Sequence, residues 1–171
     1  MNSILTKNDK FYISLLRCVA SNSIAFKRKV GAIIGISDDN FEPKIISTGY
    51  NRMSKLSPIQ NCDFKKGESF VTYDSVFHAE EVAITTALKL TNELNLNKST
   101  IYCTYSPCIN CCKLIVLSGI KRLIYIDKHK INFHTKGELN ICCQDYLIEN
   151  NIEIIRVNEN TYEIIEHYKP N

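Results

Sequence analysis

The chain has almost no net charge: 21 lysines and arginines oppose 18 aspartates and glutamates, leaving +3 over 171 residues. That balance provides no strongly basic surface of the kind that holds a long nucleic acid, yet it suits a small anionic substrate. No apolar run approaches the roughly 20 residues that a membrane-spanning helix needs. The opening MNSILTKNDKFYISLL has no apolar core followed by small residues, so no secretion signal is expected. Internal repeats, low-complexity tracts and Pro/Gly/Ser-rich linkers are also missing, and nothing divides the chain. It reads as a single domain over residues 1–171. Together these absences predict a soluble, cytoplasmic protein with no membrane partner, and they make nucleic acid an unfavoured one.

What the chain does have is enough apolar material for a core. A hydrophobic fraction of 44% with 23% charged residues is an ordinary globular composition. It also has eight cysteines: Cys18, Cys62, Cys103, Cys108, Cys111, Cys112, Cys142 and Cys143. In a reducing compartment these read as metal ligands or buried thiols rather than as a disulfide framework.

Hydrophobic periodicity sets out the elements. A helix is predicted over Asn8–Ser21, with Phe11, Leu15, Cys18 and Val19 on its inner face and Asn8 or Asp9 as its cap. Two strands, Val30–Ile36 and Lys44–Thr48, flank the polar turn Ser37-Asp38-Asp39-Asn40. The stretch Gly49–Tyr73 is read as a loop, long enough to suggest a functional one. A second helix follows over Phe77–Asn92, with Ala79, Val82, Ala83, Thr86 and Leu90 facing inward. The pattern then alternates: strand Thr100–Thr104, helix Ser106–Ser118, strand Arg122–Ile126, helix Glu138–Asn150 and strand Ile152–Val157. Ser106 as cap, Pro107 in the first helical position and Gly119 after the end are the expected boundaries of the middle helix. The tail Thr161–His167 suits either an edge strand or a short helix. Consecutive βαβ units imply parallel strands covered by helices on both faces, an α/β protein.

The chemistry lies in two short motifs. His78-Ala79-Glu80 opens one helix, and Pro107-Cys108-Ile109-Asn110-Cys111 opens another. Cysteines three apart on a helix share a face, and the helix N-terminus favours their thiolates. With His78 they supply three zinc ligands, which leaves the fourth tetrahedral position open, as catalytic zinc requires. Glu80 is near enough to exchange protons with a molecule in that position. Taken alone, His-x-Glu is a common accident, and Cys-x-x-Cys also suits a structural zinc site or a redox pair. Their conjunction on two helix starts favours catalytic zinc. A zinc-stabilised binding domain without activity is a poorer reading, because it has no use for Glu80.

His-x-Glu paired with Pro-Cys-x-x-Cys is a signature of zinc-dependent nucleobase deaminases. The chain resembles the cytidine and deoxycytidylate deaminase superfamily from about Phe11 to Val157. Further matching motifs are Val30-Gly31-Ala32-Ile33-Ile34, Gly49-Tyr50-Asn51, Ser106-Pro107-Cys108 and Ser118-Gly119-Ile120-Lys121-Arg122. The resemblance implies a three-layer α/β/α sandwich around a five-stranded mixed sheet, and hydrolytic deamination with Glu80 moving the protons. It also implies base contacts near Ala79 and Ser106 and a nucleoside contact from Asn51. Relatives are usually dimers or hexamers, so a homo-oligomer is expected.

Ser106 before Pro107 resembles deoxycytidylate deaminases, which act on a small nucleotide, whereas tRNA adenosine deaminases usually carry glutamate there. In Lys27-Arg28-Lys29 the residue nearest the family pattern for a phosphate contact is Lys29. Tyr105 and Tyr125 are candidate walls of the base pocket. Arg52 stands where triphosphate-regulated deoxycytidylate deaminases usually have glycine, a departure that points away from such control. It also resembles the tRNA-editing pattern, so a tRNA adenosine or other nucleobase deaminase stays open as the alternative. Cys62, with His134, Cys142 or Cys143, is a candidate for a second, structural zinc site; buried free thiols are the competing reading.

Overall fold

Thr6 opens the first helix. Its hydroxyl accepts the Asp9 N–H at 3.0 Å while the Asp9 carboxylate accepts the Thr6 N–H at 2.9 Å, a reciprocal capping box. The cap therefore lies upstream of the expected Asn8 or Asp9. The computed structural model describes residues 4–38, 40–91, 95–126 and 143–170, and the following elements are drawn from these. In chain order they are α1 (Lys7–Ser21), β1 (Gly31–Gly35), β2 (Ile45–Tyr50), β3 (Asp63–Lys66), β4 (Ser69–Thr72) and α2 (Ala79–Thr91). Then come β5 (Thr100–Cys103), α3 (Ile109–Leu117), β6 (Arg122–Tyr125), α4 (Cys143–Glu149), β7 (Glu153–Val157) and β8 (Ile164–Tyr168). The first part of the helix expected over Glu138–Asn150 lies outside the described residues.

The main sheet has the order β2-β1-β5-β6-β7-β8. β5, β6 and β7 run parallel, as the crossovers predict, while β1 is antiparallel to both β2 and β5. The chain's tail settles as β8, an antiparallel edge strand on β7, so the mixed sheet has six strands where five were expected. Alternation along β1 divides the core. Ile33 faces α1 together with Tyr102, Ile124 and Ile155. Ala32 and Ile34 face the other layer with residues of α2, α3 and α4. This is the three-layer α/β/α arrangement.

Two helix faces differ from the predicted stripes. On α1 the buried apolar residues are Tyr12, Ile13, Leu16 and Ala20, whereas Phe11 and Cys18 are exposed and Leu15 and Val19 are half-buried. Tyr12 takes the deep position because its hydroxyl has partners there, the Ile36 and Lys44 carbonyls at 3.2 and 3.0 Å. On α2 the inner face is Ala79, Glu80, Ala83, Ile84 and Ala87, and Leu90 is exposed. Small residues are needed there because β2 passes close by. A Cβ on Gly49 would lie 2.1 Å from the Ala79 carbonyl and 2.6 Å from the Ala83 nitrogen. Gly49 thus lets the start of α2, where His78 and Glu80 sit, lie tight against the sheet.

The expected Gly49–Tyr73 loop contains more structure than its polarity suggests. Gly49 and Tyr50 complete β2, and β3 and β4 form a separate two-stranded hairpin. The hairpin turns at Gly67-Glu68, with Gly67 at φ +61°, a conformation that favours glycine.

A polar network fastens α1 to the sheet. Asp9 is fully buried and accepts from Arg122 Nη1 at 2.8 and 2.9 Å, from Tyr102 at 2.6 Å and from Ser37 at 2.7 Å. Arg122 also reaches Glu153 at 2.8 Å. Asp9→Ala would leave the guanidinium and two hydroxyl groups without their acceptor, so we expect a loss of about 3–5 kcal/mol in urea-unfolding stability. The exposed Arg17–Glu159 pair is the contrast: Arg17→Ala should cost no more than about 1 kcal/mol.

Candidate metal centre

α3 begins later than the sequence suggests. Cys108 is its N-cap, extended at φ −76° and ψ 169°, so Ser106 and Pro107 stand outside the helix. The Cys108 carbonyl accepts the Cys112 N–H at 2.9 Å, so the first helical turn starts beyond Pro107. The shift leaves the cysteine pairing intact, because an N-cap residue and the third helical residue still lie on one side of the helix start. Across from them, His78 immediately precedes α2. Its carbonyl accepts the Val82 N–H at 3.0 Å, and its own N–H donates to Glu81 Oε2 at 3.3 Å.

These two helix starts bring three donors together. His78 Nδ1 lies 3.5 Å from Cys108 Sγ and 3.4 Å from Cys111 Sγ. The three donor atoms all fall within 4.8 Å of one another. Tetrahedral zinc with its usual N and S bond lengths places those ligand atoms about 3.6 Å apart. The group therefore fits a zinc ion, with a fourth direction left for a small molecule. Hydrogen bonds from the Cys111 thiol and then His78 hold Cys108 down to about 3. The same contact with Cys108 raises His78 to about 9 and pushes Cys111 up.

Glu80 lies beneath this group, only 4% exposed, and burial raises its carboxyl to about 7. It lines a cavity of about 450 Å³ together with His78, Ala79 and Cys108. Of the other residues singled out from the sequence, Asn51, Tyr105 and Ser106 also line the cavity. Lys29 and Tyr125 do not. Lys29 is exposed outside it, while its neighbours Lys27 and Arg28 form part of the wall. Tyr125 is 1% exposed and packs in the core on the α2–α4 face, because strand alternation turns it inward. The Arg28 guanidinium sits over the Tyr105 ring, 5.6 Å from its centroid. Val30, Thr72 and Val76 complete the wall; the last two were not anticipated, and Thr72 belongs to the hairpin that was read as loop.

The proposed second zinc group does not assemble from the described residues. Cys62 is buried with Ala25, Met53 and Val76, and its thiol faces the Asn51 carbonyl at 3.7 Å. Cys143 is buried in the main core, a different cluster. His134 and Cys142 lie outside the described residues. Among the described residues, His78, Cys108 and Cys111 form the one group suited to a metal ion. No described helix is long and apolar enough to cross a membrane.

Comparison with known proteins gives a consistent picture. A deoxycytidylate deaminase of Saccharomyces cerevisiae is 29% identical over 131 residues, 72% of this chain and 39% of that protein. A tRNA-specific adenosine deaminase of Buchnera aphidicola subsp. Schizaphis graminum is 37% identical over 90 residues, 53% of this chain and 49% of that one. The matched region thus spans less than half the length of either relative. The crystal structure of dCMP deaminase from the cyanophage S-TIM5, in complex with dCMP and dUMP, superposes with a TM-score of 0.71. That match covers 91% of this chain and all of the other at 22% identity, which speaks to the fold alone. Residues 6–127 match the cytidine and deoxycytidylate deaminase zinc-binding region, and with its sandwich fold and zinc-fitting group the chain belongs to that family.

Proposed function

We propose that this chain is a zinc-dependent hydrolase that deaminates a cytosine nucleotide, converting dCMP to dUMP with release of ammonia for thymidylate supply. One observation carries the proposal. A single cavity holds a buried carboxyl beside the His78–Cys108–Cys111 group, with Lys27 and Arg28 also in its wall. The metal-side residues suit deamination, and the two cations suit a phosphate rather than an uncharged nucleoside.

Zinc held by His78, Cys108 and Cys111 would supply Lewis acidity, bringing the pKa of water from about 15.7 toward about 7. Glu80 takes one proton from the water as its oxygen adds to C4 of the cytosine, and delivers that proton to N3. It then carries the second proton from the new C4 hydroxyl to the amine. The C4–N bond breaks, leaving a uracil carbonyl and ammonia. Ala79 and Ser106 border the base, Tyr105 walls it, and Lys27 and Arg28 meet the phosphate. Lys29, outside the wall, adds charge at longer range.

Deoxycytidylate deaminase similarity extends over more of this chain than tRNA-deaminase similarity does, which supports the nucleotide reading. The higher local identity to the Buchnera protein, together with Arg52 after Gly49-Tyr50-Asn51, favours adenosine in tRNA as the second reading. Ammonia release should be measured with dCMP, dCTP, deoxycytidine, cytosine and a tRNA anticodon stem. The expected result is turnover of dCMP well above the others. Activity confined to the tRNA stem would replace the first reading with the second.

A further inference from the structure

Residues 22–30, between α1 and β1, contain no regular helix or strand and carry the three adjacent cations Lys27, Arg28 and Lys29. Like charges in sequence repel, and a free loop would spread them into solvent. Here the backbone is held at four points by two buried side chains. Asp63 Oδ2 accepts the Phe26 and Lys27 N–H groups at 2.8 and 3.0 Å. Asn51 accepts the Val30 N–H at 2.8 Å and donates to the Arg28 carbonyl at 2.9 Å. Asp63 is 4% exposed, and its second oxygen accepts the Thr72 hydroxyl at 2.7 Å. Phe26 also stacks on Phe70, centroids 5.3 Å apart. The β3–β4 hairpin is thus fastened to the cationic loop by one carboxylate and one ring pair.

We infer that Asp63 is a positioning residue for recognition of the substrate's phosphate, fixing Lys27 and Arg28 in the cavity wall. The inference rests on the nucleotide reading above. Asp63 touches neither the metal-side residues nor the cavity itself. It acts through the loop backbone, orienting the cations before substrate arrives, so that binding need not order them. Asn51 shares this work: two of its side-chain hydrogen bonds go to the loop.

Asp63→Ala should raise KM for dCMP about tenfold or more while kcat stays within about twofold, because the reacting groups are untouched. Inhibition by dUMP should weaken by a similar factor, and inhibition by deoxyuridine, which has no phosphate, should not change. Hydrogen exchange at the Phe26 and Lys27 amides should accelerate. Phe70→Ala, which keeps the carboxylate but removes the ring stacked on Phe26, should move KM the same way by a smaller factor, so the idea stays testable if the Asp63 variant folds poorly. Equal weakening of dUMP and deoxyuridine, or a fall in kcat with KM unchanged, would overturn the inference. If the wild type does not act on dCMP, the function proposal fails by itself. In that case unchanged exchange at the two amides in Asp63→Ala would overturn the clamp, and faster exchange would support it.

Discussion

Glu80→Gln should abolish turnover, lowering kcat by about 10⁴-fold, while the protein keeps its zinc. The substitution preserves shape and removes only the ability to accept and return a proton. Glu80 has two transfers to make in the proposed reaction, from water to N3 and from the C4 hydroxyl to the amine, and the amide performs neither. Its position makes it suited to them: it is buried beneath the metal-side residues, and burial already raises its carboxyl to about 7, which favours exchange near neutral pH. Folding should not suffer, because an amide is easier to bury than a carboxylate. Metal analysis, thermal unfolding and ammonia release on one preparation would separate these effects. A Gln variant with near-normal kcat would remove Glu80 from the chemistry and with it the mechanism.

Much of the fold is legible in the sequence because local signals and tertiary packing agree. β1 and β5 are nearly continuous apolar runs, and the alternation of strand and helix after Thr100 fixes the parallel order of β5, β6 and β7. The metal-side residues are legible because their spacing is local to two helix starts. What escapes depends on distant partners. The β3–β4 strands are four residues each and carry little periodicity. They are tied down by Asp63 on the Phe26–Lys27 backbone and by Phe26 on Phe70, contacts more than thirty residues apart in sequence. Gly67 in a two-residue turn was the one local clue. The choice among Lys27, Arg28 and Lys29 likewise depends on which backbone groups Asp63 and Asn51 hold, and no property of a three-residue cationic run encodes it. Tyr12 escapes for the same reason: a tyrosine hydroxyl needs partners to be buried, and the two carbonyls that satisfy it in the core are distant in sequence.

Removing one of the three donors should have the second large effect. Cys111→Ala is expected to lower bound zinc from about one per chain to near zero, with loss of turnover and a fall in melting temperature. Cys111 Sγ and Cys108 Sγ meet His78 Nδ1 at nearly equal distances, so each would hold one corner of a tetrahedral site. With two donors left the site binds weakly, and the remaining groups fall back on sharing protons. The thermal effect follows because a bound ion would tie the start of α2 to the start of α3, adding to the core packing those helices already share. Treating the wild type with a strong chelator should reproduce both losses, and zinc should reverse them in the wild type but not in the variant. Cys62→Ala is the control: Cys62 is equally buried but packs with Ala25, Met53 and Val76, so that variant should keep its zinc. A Cys111→Ala protein that retained stoichiometric zinc and activity would mean that the ion sits elsewhere, and the cavity beside Glu80 would lose its claim to the reaction.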